Sequence, residues 1–209
     1  MAKEKMKSMD KKVLDKISEV FDLEDPKGKV LTEEKLHSFE EELGIKLPQG
    51  YREYILTYAG LWVKDDFTVK MKECSEFTSK DGYGYVEYLY GSELVSTGKK
   101  RMKFIEEEDE ADCFLPIGES AGDMIVIGVK GEEYGKVYKY YHESVEKDVP
   151  VFLIADSFEE FINGFEYRPE DDIDYSKVKI RLDPDLLESM KEFQERKRKE
   201  REQKEKNKK

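Results

Sequence analysis

The chain has 209 residues, of which 41% are charged, and its formal net charge at pH 7 is −12. Residues 188–209 hold ten basic and six acidic side chains, so residues 1–187 carry a net charge of −16. This acidic body excludes nucleic acid as the main ligand of the core, because phosphate binding needs clustered Lys and Arg. It favours a basic protein partner.

Neither a membrane span nor an export signal is expected. An apolar run such as Met124–Ile127 is far too short to cross a bilayer. No apolar region follows the basic residues at the N-terminus. Cys74 and Cys113 are the only cysteines, and without a signal peptide we expect both to be reduced. These features predict a cytoplasmic protein.

The first 60 residues have the patterns of three helices. Apolar residues at helical spacing predict a helix from Asp10 to Phe21, with Asp10 as its N-cap. The segment Leu31–Gly60 predicts two short helices joined by a Leu-Pro turn. Thr32 is suited to cap the first of them, and Gly44 to end it in the left-handed conformation.

After residue 60 the pattern changes to strands. Phe67, Val69 and Met71 alternate with polar residues, as in a half-buried strand. The stretch Tyr83–Tyr90 contains four tyrosines and predicts one strand. Its rings either pack on helices or form a binding face. Met102–Ile105 is either a short strand or the end of a helix.

Residues 106–112, EEEDEAD, form a dense acidic run. The run lacks the alternating ligands and the glycine of an EF-hand loop, so calcium binding is not expected. Such runs are usually solvated loops. As an alternative role, this run could meet a basic surface of a partner.

Residues Gly118–Gly122 have the G-x-S-x-G form of a nucleophile elbow. An elbow needs a helix directly after the serine, whereas Met124–Val129 is rich in β-formers. We therefore predict a turn between two strands rather than a catalytic Ser120. Further strands at 136–142 and 151–154 and a closing helix with Phe158, Phe161, Ile162 and Phe165 complete the predicted order.

No other pattern predicts catalysis or metal binding. The two histidines, His37 and His142, are far apart, and no Cys/His cluster has zinc-ligand spacing. A P-loop and a dinucleotide fingerprint are both missing. We expect no catalytic residue, metal or cofactor. Asp123 is expected to bond backbone N–H groups in its turn, and His142 to be a structural or surface residue.

Three ordered blocks of the chain share a pattern with a known family. The first consists of Phe39, Glu40, Leu43, Gly44, Leu47, Pro48, Tyr51, Tyr54, Ile55 and Gly60. The second consists of Pro116, Ile117, Gly118, Gly122, Asp123, Ile125, Gly135, Val137, Tyr138, His142 and Glu143, and the third is the string from Ala155 to Ile162. Together they resemble the SUKH superfamily, which contains bacterial toxin-immunity proteins and fungal Smi/Knr-type cell-wall regulators. Tyr140-Tyr141 departs from the aromatic-acid pair of many members.

The element order and this resemblance imply an α+β fold. We expect N-terminal helices packed on a mainly antiparallel sheet, a closing helix and a charged C-terminal tail that is helical or disordered. The predicted organisation is a helical extension at 1–30, a SUKH-like domain at 31–166, an acidic linker at 167–187 and a basic tail at 188–209. Alternating apolar residues at 178–182 could add an edge strand.

The resemblance implies a non-enzymatic protein that neutralises a toxin by stoichiometric binding. The charge of the body suits a basic toxin domain, such as a nuclease whose phosphate site the carboxylates could occupy. The alternative is a regulatory scaffold like the fungal relatives, with the tail as docking segment. No membrane partner is expected, and the sequence does not define the oligomeric state.

Two sets of residues follow from this interpretation. The candidate partner-binding residues are Glu106, Glu107, Glu108, Asp109, Glu110, Asp112, Tyr83, Tyr85 and Tyr88. The motif residues expected to have structural roles are Phe39, Glu40, Leu47, Pro48, Gly60, Gly118, Gly122, Asp123, Tyr138 and His142.

Overall fold

The first two helices begin and end where the sequence places their capping residues. The computed structural model describes residues 9–109, 112–144 and 146–169, with the backbone alone for residues 106–109. Asp10 accepts a hydrogen bond from the Lys12 N–H at 2.7 Å, and Thr32 accepts one from the Lys35 N–H at 3.4 Å. Gly44 has a φ of 62° where the second helix ends. The described α-helices are α1 (Lys11–Val20), α2 (Glu33–Leu43), α3 (Gln49–Thr57), α4 (Thr97–Asp109) and α5 (Phe158–Asn163), and 3₁₀ turns span Ser92–Val95 and Gly131–Glu133.

The strands form two antiparallel sheets. The larger sheet has the order β1-β4-β5-β6-β7-β8 and the smaller one the order β3-β2-β9. Together with the helices, these sheets confirm the predicted α+β class. The described strands are β1 (Leu61–Trp62), β2 (Phe67–Lys70), β3 (Tyr83–Gly84), β4 (Tyr88–Leu89), β5 (Phe114–Ser120), β6 (Asp123–Gly128), β7 (Val137–Tyr140), β8 (Val151–Ala155) and β9 (Phe165–Tyr167).

The stretch Tyr83–Tyr90, predicted as one strand, is divided between the two sheets. β3 pairs with β2 in the smaller sheet, whereas β4 pairs with β1 and β5 in the larger one. The prediction of one strand is therefore wrong. The reason is tertiary: residues 85–87 cross between the sheets, and the Tyr85 carbonyl accepts from the side chains of Ser120 at 2.5 Å and Lys139 at 2.9 Å.

The acidic run begins inside a helix. Because α4 extends through Asp109, residues 106–109 are helical instead of forming the loop that their charge predicted. Met102–Ile105 lies inside the same helix, so the open choice there is resolved in favour of helix. Ile105 is fully buried and Met102 is buried as well. The burial of these two side chains anchors α4. Because glutamate is a good helix former, the helix continues into the acidic run.

The larger sheet is covered on both faces. Along β6, Ile125 and Ile127 belong to the main core, which also contains residues of α1, α2, α3 and α5. Met124 and Val126 belong to a second cluster that contains Ile105 of α4. A strand buried on both faces needs apolar residues at successive positions, which explains the continuous apolar run noted in the sequence.

A buried carboxylate shapes the turn between α2 and α3. Glu40 is 9% exposed, and its Oε1 accepts from the Leu47 N–H at 2.9 Å. The same oxygen lies 3.7 Å from Arg52 Nε. Arg52 also donates to both carboxylate oxygens of Glu33, at 3.1 and 2.6 Å, and this hydrogen bonding lowers the pKa of Glu33. Glu40 thus stabilises the turn that leads into Pro48 and α3 by accepting a hydrogen bond from its backbone.

Three sequence expectations fall on residues that the structure does not describe. The predicted basic tail, most of the acidic linker and the edge strand predicted at 178–182 lie outside the described residues. Within the described residues, no helix has both the length and the apolar character that crossing a bilayer requires.

Replacing Glu40 with Ala should destabilise the protein. The substitution leaves the Leu47 N–H without its acceptor in a buried turn, and the expected loss in the free energy of unfolding is about 2 kcal/mol. Urea denaturation measures this loss. The matched control is Glu41→Ala, since Glu41 is 70% exposed in its ion pair with His37; a change within about 0.5 kcal/mol is expected there. Equal losses would contradict a specific role for Glu40.

Candidate functional site

The three candidate tyrosines lie in different surroundings. Tyr83 donates its hydroxyl hydrogen to Glu166 at 2.6 Å, and Arg168 Cζ lies 3.9 Å from the centroid of its ring. Tyr88 is 5% exposed and belongs to the main core. Tyr85 is 50% exposed. The crossing between the sheets therefore separates the three rings, and Tyr85 is the one with the largest free surface.

Asp112 is the one candidate acidic residue whose side chain the structure describes, and it is not joined to these tyrosines. Asp112 is exposed and binds Lys130 Nζ at 2.7 Å, which lowers the pKa of Asp112. Residues 106–109 lie at the end of α4, and Glu110 lies outside the described residues. No hydrogen bond or ion pair of the described residues links Asp112 to the tyrosines. A role for the acidic run in partner binding stays a prediction.

A cleft of about 460 Å³ opens beside Tyr85. It is built by the chain after α1, the chain after β1 and the crossing segment 85–87. The Asp22 N–H donates to the Trp62 carbonyl, and the Val63 N–H donates to the Glu87 carbonyl, both at 2.9 Å. These bonds tie the three segments together. The residues that line the cleft are Asp22, Trp62, Val63, Lys64, Asp65, Tyr85 and Glu87.

The cleft has an acidic lining. Asp22, Asp65 and Glu87 supply three carboxylates. Lys64, the one lysine of the lining, donates from Nζ to two backbone carbonyls in the last turn of α1, each at 2.9 Å. Burial, and then the charges of Glu87 and Asp65, raise the pKa of Tyr85. The phenol therefore lies within the electrostatic field of both carboxylates.

The Trp62 ring in the cleft wall already interacts with a cation. Lys27 Nζ lies 4.5 Å from the Trp62 ring centroid and 5.3 Å from that of Tyr88. These distances are typical of cation–π contacts. The two rings are 4.8 Å apart. Gly60 is needed beneath them, because a Cβ there would lie 1.6 Å from the Tyr88 hydroxyl oxygen.

Behind the cleft, two buried side chains hold the Tyr85 carbonyl. Ser120 is fully buried and Lys139 is 5% exposed. Both donate to this carbonyl, at 2.5 and 2.9 Å, and Lys139 Nζ also donates to Ser120 Oγ at 2.6 Å. β6 follows the two-residue turn Ala121–Gly122, in which both φ angles are positive, at 52° and 97°. The predicted strand–turn–strand is confirmed, and Ser120 points into the protein instead of standing exposed on an elbow.

Lys139 is the residue of this region that sequence reasoning missed. The sequence predicts a strand at 136–142 but indicates no role for Lys139 within it. Burial lowers the pKa of Lys139 to about 8, against an opposing effect of Asp123, and its Nζ lies 4.9 Å from the Tyr141 ring centroid. The tyrosines beside it were the available signal, since aromatic residues on both faces of a strand indicate burial on both faces.

Other motif residues make hydrogen bonds or close packing contacts near the ends of strands. Asp123 Oδ1 accepts from the His142 backbone N–H at 3.3 Å and lies 2.9 Å from the His142 ring Nδ1. The expected bond to a backbone N–H is thus found between neighbouring strands rather than inside the turn. A Cβ on Gly118 would lie 2.4 Å from a carbonyl oxygen of β4, and Tyr138 donates to Glu133. Among the described residues, no three His, Cys, Asp or Glu side chains could hold a metal ion.

Comparison with known proteins identifies the family and a curated relative. The profile of the SMI1/KNR4 family (SUKH-1) matches residues 30–164. An SPbeta prophage-derived uncharacterized protein of Bacillus subtilis (strain 168), YokK, is 30% identical over 173 residues. That alignment covers 76% of this chain and 88% of the relative.

Replacing Lys139 with Met should change how stability depends on pH. The pKa of Lys139 falls from 10.5 to about 8 on folding, so between these values the unfolded chain binds the proton more tightly. The contribution of this group to stability therefore rises as the pH increases through 8. From roughly pH 7 to 9, the free energy of unfolding should rise by about 1 kcal/mol in the unsubstituted protein relative to Lys139→Met.

Urea titrations across this pH range measure the difference between the two proteins. Lys46→Met is the control, because it makes the same replacement at an exposed lysine outside this buried site. Parallel curves for the unsubstituted protein and Lys139→Met would contradict a buried ammonium at this position.

Proposed function

The chain belongs to the SMI1/KNR4 family (SUKH-1), and from this premise we propose that it is an immunity protein. In this proposal it binds a cognate bacterial toxin in a stoichiometric complex, without turnover, and thereby neutralises it. The protein acts in the cytoplasm. The prophage origin of the relative supports the bacterial immunity role over the fungal regulatory one, because it places a similar protein on a bacterial mobile element.

The observation that carries the proposal is the acidic cleft around a half-exposed tyrosine. A carboxylate-rich body attracts a basic partner and accelerates its association. Tyrosine and tryptophan are enriched at protein interfaces, where a large rigid ring loses little conformational entropy on binding. A basic, nuclease-type toxin domain fits this chemistry, since carboxylates can occupy the site that otherwise binds phosphate.

The polar groups that could suggest catalysis are engaged in the fold. Ser120 Oγ lies between the Lys139 ammonium and the Tyr85 carbonyl, and both side chains are buried. A nucleophile must reach a substrate carbonyl, and a fully buried hydroxyl does not. This arrangement supports a binding function over hydrolysis by Ser120.

The second candidate is a regulatory scaffold that docks through residues 188–209. The observation in its favour is the net charge of +4 on that segment, opposite in sign to the rest of the chain. Deleting residues 188–209 separates the two functions. An immunity protein keeps its partner after the deletion, whereas a scaffold that docks through the tail loses it.

The test of immunity is affinity capture from the source cells followed by neutralisation. Full-length and tail-deleted chains serve as baits at low and high salt. We expect both to retain one basic protein, more of it at low salt because screening weakens charge attraction. The purified partner should lose its toxic activity at a molar ratio of about one, as stoichiometric binding requires.

Activity that persists in a saturated complex would contradict immunity, and capture that depends on residues 188–209 would favour the scaffold. Charge reversal at Glu106–Glu108 tests the acidic run separately. Slower association is expected if the run faces the partner, and an unchanged rate would remove it from the interface.

A further inference from the structure

The cleft beside Tyr85 has the size of a site for one side chain or small ligand. Its volume of about 460 Å³ lies within the range of small-molecule pockets. Three segments distant in sequence form its walls and are hydrogen-bonded to one another through their backbones. The cleft is therefore part of the folded framework and does not have to be formed by a moving loop.

The charges of the cleft are arranged for a cation. Asp65 is exposed and has no ion pair among the described residues. Glu87 accepts one hydrogen bond, from the Ala121 N–H at 3.2 Å to Oε2, which leaves capacity on its carboxylate. The ammonium of Lys64 is directed away, to carbonyls of α1. A cation that enters the cleft would thus meet two carboxylates whose charge is not already neutralised.

The aromatic walls point to the same chemistry by an independent observation. Trp62 holds the Lys27 ammonium at 4.5 Å from its ring centroid, so this region of the fold already stabilises one cation on a ring. The Tyr85 ring is half exposed. A planar cation can stack on such a ring while it bonds to carboxylates at the edge.

We propose that the cleft receives one arginine side chain of the protein partner, with its guanidinium between Asp65 and Glu87 and against the Tyr85 ring. Arginine fits better than lysine because its planar fork bonds carboxylates at two positions, stacks on aromatic rings and is more weakly hydrated. The inference rests on the proposed function, since it names the group by which a basic toxin would be recognised.

The first experiment needs no toxin, because Trp62 is the only tryptophan of the chain and lines the cleft. The full chain is titrated with N-acetyl-arginine amide or with N-acetyl-citrulline amide, its neutral isostere. The single indole N–H signal is followed by NMR. We expect the arginine probe to shift this signal to saturation, and the citrulline probe to bind at least about fivefold more weakly because it lacks the charge.

Two substitutions test whether the carboxylates of the cleft bind the arginine probe. Asp65→Asn and Glu87→Gln each remove one charge, and the amide oxygen of Gln can still accept from the Ala121 N–H. Each should weaken arginine binding by about threefold. Glu132→Gln is the matched control, since it removes an exposed carboxylate outside the cleft, and it should bind as the unsubstituted chain does. Equal shifts with both probes, or full affinity in both cleft variants, would overturn the proposal.

The second experiment separates this proposal from the proposed function. With the captured toxin, the Asp65→Asn/Glu87→Gln double variant should dissociate at least about tenfold faster, because a desolvated charge pair acts mainly on the dissociation rate. Unchanged dissociation, with neutralisation intact, would overturn the arginine site and leave immunity standing. Arginine binding with a captured protein that is not neutralised would overturn immunity and leave the site standing.

Discussion

The polar contacts at the crossing segment 85–87 hold together the wall of the cleft in which the proposed arginine site lies. Where the chain leaves one sheet for the other, the Tyr85 carbonyl loses the strand partner that a continuous ladder would supply, and a buried carbonyl without a donor is costly. Lys139 and Ser120 supply the donors. The Lys139 ammonium itself is desolvated, and the described chain stabilises it with a carbonyl, a hydroxyl and an aromatic ring. The wall of the cleft thus depends on a buried charge one layer below it.

This arrangement divides the polar residues of the protein by depth. The buried ones, such as Glu40 and Lys139, bond backbone groups at places where the regular ladders stop. The carboxylates of the cleft, of which Asp65 is exposed, make few contacts within the fold, and the proposed arginine site uses two of them. In a protein complex such surface charges act mainly on the rate of encounter, whereas an inserted anchor acts mainly on its lifetime. The cleft offers carboxylates for the encounter and a pocket for the anchor.

Local chemistry made part of the structure predictable. Asp10, Thr32 and Gly44 act within a few residues of their own positions, so caps and helix ends could be predicted from the sequence alone. The division of Tyr83–Tyr90 between two sheets could not, because it depends on strands that are distant in sequence. For the same reason, no pattern of residue spacing along the sequence identifies the cleft. Tyr85 is the one candidate partner-binding residue that lies in the cleft. It was a candidate because tyrosine rings are common at interfaces, and not because of its neighbours in the fold.

The pairing of β9 with β2 has a consequence for the order of folding. Phe165 lies opposite Val69, so this ladder closes a loop of nearly a hundred residues, and α5 packs against α1 across an even longer separation. The strands β5 to β8, in contrast, pair with their sequence neighbours. Since contacts distant in sequence form slowly, a growing chain can assemble this four-stranded meander early. The packing of α1 against α5 must wait until nearly all of this region has been synthesised, so α1 stays accessible to proteases or chaperones after the meander has formed.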